Sequence, residues 1–153
     1  SIDAQPRKCE AFFSACFLRL RSGMEVIMQI ATRRFVRPEF MNHHQTLYAG
    51  TISEWATEAA MIGITAVLGR TDHVVLAALK EIRVLKEVTA GSILELQYEV
   101  KSYGTTSVEI QIEGRDFLSR NIHFTGSAVF VTVDDEGKKT PHGLSLSKAD
   151  RQE

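Results

Sequence analysis

One helix-forming segment, built largely from small residues, constrains the fold of this chain more than any other feature. Between residues 50 and 68, apolar side chains recur at the i, i+3, i+4, i+7 spacing that gives a helix one buried face. Gly69 then provides a natural end for the helix. Because most of the buried positions are small, another layer must approach the helix closely, and a sheet wrapped around it is the simplest arrangement. The predicted buried face consists of Ile52, Trp55, Ala56, Ala59, Ala60, Gly63 and Val67.

The segments around this helix alternate polar and apolar residues, which is typical of strands with one buried face. In the third of them, Leu94 and Leu96 fall on one face and Glu95 and Gln97 on the other. The order is one strand, the long helix and four antiparallel strands. We therefore expect an α+β fold in which one helix covers one curved sheet. The predicted strands are residues 25–36, 74–85, 93–103, 106–113 and 121–133.

Composition limits the classes of partner. The 153 residues suggest one domain, and the formal net charge of −1 argues against nucleic acid, because binding to a phosphate backbone needs a basic surface. No apolar run reaches the roughly 18 residues needed to span a membrane. Cys9 and Cys16 lack metal-type spacing, so we expect ordinary thiols in a reducing, cytoplasmic compartment and no metal site.

The N-terminal residues leave three alternatives open. Basic residues flank a group of Phe and Leu residues between positions 4 and 22. This stretch is an added helix, an organelle-targeting segment or a cloned sequence upstream of a start at Met24. We therefore divide the chain into an extension at 1–23, a folded domain at 24–143 and a polar tail at 144–153.

Polar residues accumulate just before the helix and point to chemistry at its start. The sequence Asn42-His43-His44 leads to Gly50, where the predicted helix begins. A Gly at a helix start lets a ligand approach bare backbone N–H groups, and the helix dipole there favours developing negative charge. Glu54 and Glu58 follow one turn apart. Backbone donors beside a carboxylate suit the hydrolysis of an acyl group.

Three segments together resemble the hot-dog-fold acyl-CoA thioesterases, in the acyl-CoA hydrolase branch of that family. They are residues 42–55, residues 82–91 and residues 103–109, and the resemblance extends over about 24–143. It implies a hot-dog fold, in which a curved antiparallel sheet wraps a long central helix. It also implies a homodimer or a hexamer built as a trimer of dimers, an acyl-CoA substrate, and no cofactor other than the CoA of that substrate. The active site would lie at the dimer interface.

The resemblance also assigns roles at the reacting centre. The N–H of Gly50 would polarise the thioester carbonyl, and Asn42 would orient the thioester or the attacking water. Most members of this branch have Asp or Glu at the position that aligns with Thr57. Here we expect the Thr57 hydroxyl to line the site and Glu58, on a slightly rotated helix, to be the base. Glu54 is the alternative base, and His43 is a further candidate for proton transfer.

Binding of CoA requires cations for its phosphates and polar groups for its pantetheine arm. We predict that Arg83 and Lys86, with Lys101 as a further candidate, bind the phosphates. The strand start at Thr105, Thr106 and Ser107 would contact the pantetheine. Two other interpretations stay open: a non-catalytic acyl-CoA sensor, which the Thr at position 57 would suit, and a hot-dog hydratase or dehydratase. Release of thiol from acyl-CoA distinguishes the hydrolase from both.

Overall fold

The computed structural model describes residues 27–145. The predicted N-terminal extension, both cysteines and residues 146–153 of the predicted tail lie outside the described residues. The elements are β1 (Gln29–Phe35), a short 3₁₀ helix (Pro38–Phe40), α1 (Ala49–Leu68), β2 (Val74–Val84), β3 (Ile93–Tyr103), β4 (Ser107–Asp116) and β5 (Ile122–Thr132).

The strands form one antiparallel sheet in the order β1–β3–β4–β5–β2, so β1 and β2 are its edges. Helix α1 packs on one face of the sheet, above its middle strands. We refer to the opposite face as the outer face. This arrangement confirms the predicted α+β class and the hot-dog fold. Within residues 27–145, no helix has the length and apolar character that crossing a bilayer requires.

Helix α1 begins one residue earlier than predicted. The carbonyl of Tyr48 accepts the first helical hydrogen bonds, from the N–H of Thr51 at 3.0 Å and the N–H of Ile52 at 3.1 Å. Gly50 therefore occupies the second helical position rather than the start. The predicted end is confirmed: Gly69 adopts a left-handed conformation with φ of 71°, and its N–H donates to the carbonyl of Thr65.

The buried face of α1 follows the predicted pattern with one exchange. Ile64 is fully buried, whereas the predicted Val67 is only partly buried. The small residues do permit a close approach of helix and sheet. At Gly63, a Cβ would lie 2.7 Å from the ring of Tyr98 on β3, so no larger residue fits there without displacing that ring.

The polar side of β3 is more buried than simple alternation indicates. Only 2% of Glu95 and 9% of Gln97 is exposed, although both lie on the outer face. Glu95 accepts hydrogen bonds from Arg33 of β1 at 2.8 Å and from Gln97 at 2.8 Å, and it forms an ion pair with Arg120 at 2.9 Å. Burial alone raises the pKa of Glu95, but these donors outweigh it and hold the pKa below its ordinary value.

The edge strand β2 carries large apolar side chains that remain exposed in the single chain. They include Val75, Leu76, Leu79 and Val84, each at least 37% exposed. An edge of this length and composition is a template for pairing with another strand. The fold therefore supplies a surface for self-association along the β2 edge of the sheet.

Candidate active site

The loop before α1 is organised by the side chain of Asn42. Its Oδ1 accepts hydrogen bonds from the backbone N–H of His44 at 2.8 Å and from that of Thr46 at 3.2 Å, while its Nδ2 donates to the Thr46 hydroxyl at 3.0 Å. The backbone closes the same turn, since the N–H of Asn42 donates to the carbonyl of Thr46 at 2.7 Å. An Asn amide has two donor hydrogens, and among residues 27–145 only one of those of Asn42 meets an acceptor. Asn42 thus fixes the loop and can offer its second donor to a ligand.

The first turn of α1 is open. Among the residues that the structure describes, no acceptor meets the backbone N–H of Ala49 or Gly50. Gly50 is exposed, and the ring of Tyr48 lies against its Cα, on the side where a Cβ would project. Tyr48 is itself 58% exposed and can move. These N–H groups stand at the positive end of the helix dipole, where an anionic oxygen is stabilised.

Two hydroxyls line one flank of α1. The Thr57 hydroxyl donates to the carbonyl of Ser53 at 2.8 Å, and the Ser53 hydroxyl donates to the carbonyl of Ala49 at 3.1 Å. Each hydroxyl has therefore used its hydrogen within the helix and keeps only acceptor capacity. The predicted role of Thr57 as a residue lining the site is compatible with this geometry, as an acceptor for water or substrate.

Glu58 lies on the other flank, toward β1. Its carboxylate accepts a hydrogen bond from Arg34 of β1, and the Arg34 guanidinium lies 5.6 Å from the centroid of the Trp55 ring. Consecutive helix residues point about 100° apart, so Thr57 and Glu58 project from different flanks of α1, and of these two only Glu58 has a hydrogen bond to β1 among the described residues. Glu54 is exposed between these flanks, and no residue among 27–145 forms a hydrogen bond or ion pair with its carboxylate.

The sequence did not identify Arg34 as part of the site. Arg34 lies opposite Leu94 of β3, on the helix side of the sheet. The alternation of side chains along β1 could have indicated this position from the sequence. The predicted proton-transfer residue His43 is exposed, and its ring contacts that of His44 in a tilted arrangement, with 3.9 Å between the centroids. Among the described residues, no group of three or more His, Cys, Asp or Glu side chains is arranged to hold a metal.

The predicted CoA-binding residues fall into separate groups. Lys86 lies at the end of the sheet where α1 begins. The evidence is a hydrogen bond from the N–H of Leu47, just before α1, to the carbonyl of Val88, two residues after Lys86, at 2.8 Å. Thr105, Thr106 and Ser107 lie at the opposite end, where Ser107 pairs with Val131.

Arg83 forms a third group with Lys101. Both residues line a cavity of about 170 Å³ on the outer face, away from α1. Arg83 pairs there with Thr125, close to the start of β5. A single chain therefore brings Asn42, Gly50 and Lys86 to the same end of the molecule, but it does not join them to the remaining predicted CoA contacts.

Known proteins are similar to this chain over most of its length. The model of a family described as the thioesterase superfamily matches residues 44–120. A comparison with curated proteins found no match. Among solved structures, an acyl-CoA hydrolase from Staphylococcus aureus, in complex with butyryl coenzyme A, coenzyme A and coenzyme A disulfide, is 31% identical with a TM-score of 0.66. The alignment covers 72% of this chain and 66% of that enzyme, so the chain spans about two thirds of its length.

Two hexameric structures are also similar. An apo-hexameric acyl-CoA thioesterase is 26% identical with a TM-score of 0.64, over 74% of each chain. A hexameric thioesterase from Yersinia pestis, 20% identical with a TM-score of 0.67 over 74% of this chain and 93% of that one, shares the fold. Structures of the S. aureus enzyme also exist with an asparagine or an aspartate replaced by alanine, and these two positions are fifteen residues apart.

Proposed function

Because this chain belongs to the thioesterase superfamily, we propose that it is an acyl-CoA thioesterase. Water attacks the thioester carbonyl, the C–S bond breaks, and the products are a free carboxylic acid and CoA with its thiol. The reaction needs no cofactor, since water is the second substrate. A cytoplasmic location is part of the same proposal.

The observation that carries this proposal is the open first turn of α1 directly after the Asn42 loop. Attack on the carbonyl places negative charge on its oxygen, and stabilisation of that charge is usually the largest contribution of an acyl-transfer site. The N–H of Gly50 has no competing acceptor among the described residues and lies at the positive end of a 20-residue helix. We propose that it donates to this oxygen and that the free amide hydrogen of Asn42 orients the thioester.

The S. aureus enzyme supports the alignment behind this site. Its replaced asparagine and aspartate have the same separation in sequence as Asn42 and Thr57. We infer that Asn42 corresponds to that asparagine and that Thr57 stands where the relative has the aspartate. The Thr57 hydroxyl cannot act as a base at neutral pH, but its free lone pairs can accept a hydrogen from the attacking water. The carboxylate must therefore come from another position.

Glu58 and Glu54 compete for this role. Glu58, the predicted base, faces β1 and would have to exchange Arg34 for water. Glu54 has no such partner among the described residues. It lies on the exposed side of α1, one turn after the exposed Gly50. Within one protomer Glu54 is therefore better placed, whereas Glu58 serves as the base if the partner subunit's substrate reaches the β1 flank. Replacement of each carboxylate by its amide, Glu54→Gln and Glu58→Gln, decides between them.

Dimerisation would bring the separated CoA contacts together. We propose a homodimer, which can assemble further into a hexamer, in which β2 pairs antiparallel with β2 of the partner. Such a two-fold axis places the Thr105–Ser107 end of one protomer beside the Lys86 end of the other. Lys86 would then bind phosphate groups, and Thr105, Thr106 or Ser107 from the second protomer would contact the pantetheine. Arg83 faces the outer side, so we do not extend the proposal to it.

The test is thiol release from a panel of acyl-CoA substrates, read with a thiol-reactive dye, together with calorimetric binding of CoA. A hydrolase releases thiol from at least one substrate at a rate that rises with enzyme concentration. Binding of acyl-CoA without thiol release would instead support the sensor, because Thr57 would then mark a lost catalytic carboxylate. Absence of both binding and release would contradict either function.

A further inference from the structure

A buried histidine that the proposed reaction does not use lies beside the segment that carries Lys86. Only 8% of His123 is exposed, although it stands near the start of β5, at one end of the sheet. Its Nδ1 is 3.1 Å from the backbone carbonyl oxygen of Lys86. Because a carbonyl oxygen can only accept, Nδ1 carries the hydrogen of this bond and the imidazole is the donor. The buried ring is therefore directed at the backbone of Lys86.

A bulge in β5 gives His123 this position. Between two consecutive pairs of β4 and β5, the latter strand has one residue more, and this residue is His123. The two pairs are Gly114 with Phe124 and Arg115 with Ile122. A bulge removes its extra residue from the regular alternation of the strand and redirects the side chain. On the other side of β5, the pairing with β2 also ends at Phe124, so the bulge lies where β2 leaves the sheet.

His123 holds the chain at the point where β2 ends. Its carbonyl accepts the backbone N–H of Leu85 at 2.8 Å and that of Lys86 at 3.1 Å, while its imidazole donates to the Lys86 carbonyl. Both backbone polar groups of Lys86 are therefore bound by one residue of β5. Residues 85–87 are all exposed, so burial of their side chains contributes little to fixing them. The position of Lys86 depends on these hydrogen bonds.

A second anchor follows directly after this exposed segment. Val88 is 2% exposed and packs in the core, and its carbonyl accepts the N–H of Leu47, just before α1, at 2.8 Å. The segment is thus fixed on one side to β5 and on the other side to the loop before the helix. The two anchors together set the position of Lys86 relative to the N–H of Gly50, the proposed donor to the thioester oxygen.

We propose that His123 is a positioning residue for the binding of the CoA phosphates, and that it acts through the backbone of Lys86. The inference rests on the proposed function, which assigns Lys86 to these phosphates. A lysine binds phosphate as a point charge at the end of a flexible side chain, so its reach depends on where its backbone is held. Without the imidazole donor, the Lys86 carbonyl loses its partner and part of the binding free energy is spent on ordering the segment. Binding of phosphate then weakens, while the reacting centre keeps its geometry.

The test compares three replacements of His123 in the full-length protein. His123→Phe keeps a ring without a donor, His123→Gln places an amide near the position of Nε2, and His123→Asn places an amide near that of Nδ1. We expect the KM for acyl-CoA to rise roughly three- to tenfold in the Phe and Gln variants, the usual effect of one hydrogen bond, with a much smaller change in kcat. The Asn variant should recover most of this loss. The calorimetric Kd of CoA should follow the KM, and circular dichroism checks folding.

Three comparisons separate positioning from a general loss of stability. Thioesters of pantetheine lack the phosphates of CoA, so their kcat/KM should be the same in the Gln variant and the wild type. In the Lys86→Ala background, His123→Gln should raise the KM for acyl-CoA no further, because the side chain that it positions is absent. Glu95→Gln is the matched control: Glu95 is another buried polar residue of the sheet, it contacts Arg33 and Arg120, and its variant should keep the wild-type KM.

Several outcomes would overturn the proposal. One is a wild-type KM and a wild-type Kd in both the Phe and the Gln variant of His123. Another is a loss that persists in the Lys86→Ala background or extends equally to pantetheine thioesters. A Lys86→Ala variant that binds CoA like the wild type would also overturn it, because Lys86 would then not bind the phosphates. A protein whose CoA affinity depends on His123 and Lys86 but that releases no thiol would contradict the hydrolase, not the positioning role.

Discussion

At the scale of single residues, the proposed chemistry depends on one backbone N–H. Gly50→Pro removes that donor in the first turn of a helix, where Pro is best tolerated. Gly50→Ala keeps the N–H but displaces the Tyr48 ring in the same way, since any Cβ there meets it. We expect kcat to fall about 10²–10³-fold in the Pro variant, the usual loss for one oxyanion donor. The Ala variant should lose much less, and circular dichroism checks that both fold; equal losses would assign the effect to Tyr48.

The catalytic carboxylate can be identified by paired amide substitutions. Glu54→Gln and Glu58→Gln each remove a charge at constant size, and loss of the base should lower kcat roughly 10²–10⁴-fold. From the open position of Glu54 and the Arg34 contact of Glu58, we expect the larger loss in Glu54→Gln. Steady-state thiol release measures both. The reverse ranking would return the role to Glu58, and full activity in both variants would make His43 the next candidate.

Thr57 offers a test by gain of function. If it replaces the aspartate of the S. aureus relative, Thr57→Asp introduced into the Glu54→Gln variant should restore a general base and raise the kcat of that variant by roughly tenfold or more. Thr57→Asn has nearly the same shape without the charge and serves as the control. Comparison of kcat for the two variants at saturating substrate measures the effect. If Asp raises the kcat of the Glu54→Gln variant no more than Asn does, position 57 does not correspond to the catalytic aspartate.

At the scale of elements, the buried Glu95 joins β1, β3 and the connection between β4 and β5. Its contacts reach Arg33 and Arg120, which sequence periodicity could not pair with it. A carboxylate in this position stabilises the fold while it is ionised. Because its pKa in the folded chain lies below the ordinary value of 4.5, the stabilisation is complete above that value and is lost as pH falls below it.

Glu95→Gln should therefore reduce the free energy of unfolding by roughly 1–3 kcal/mol at neutral pH, since it removes hydrogen bonds between charged groups. The difference from the wild type should shrink as the pH falls from about 6 to about 3. Urea unfolding at several pH values measures both quantities. Glu136→Gln is the control, because that carboxylate is exposed and its ion pair is with the equally exposed Lys138. A difference that stays constant with pH would show that shape, not charge, matters at position 95.

At the scale of the whole molecule, assembly is required to complete the proposed site. Leu79 is at the middle of the exposed edge strand β2, and Leu79→Arg places a charge where β2 would pair with its copy. We expect the wild type to be a dimer or larger by light scattering, and the variant to shift toward the 17.1 kDa monomer and lose activity. Leu118→Arg is the control, because Leu118 is 86% exposed in the connection between β4 and β5, away from this edge. A wild-type monomer, or equal dissociation of both variants, would contradict pairing through β2.

The sequence by itself determined the element order, the length of α1 and its buried face. These properties follow from local periodicity: a helix repeats every 3.6 residues and a strand every two, so the apolar residues mark their faces wherever the chain later goes. Gly50 and Asn42 could be selected in the same way, because turn and helix-start chemistry is also local.

Only the tertiary structure decided which side chains meet. The pairing of Arg34 with Glu58, the burial of Glu95 and the contact of His123 with Lys86 all depend on segments that are far apart in sequence. Alternation gives the face of a residue but not the neighbour across it, because strand order and register are set by packing of the whole sheet. The sequence could therefore select candidate CoA contacts along the chain, yet the fold distributes them over two ends and two faces.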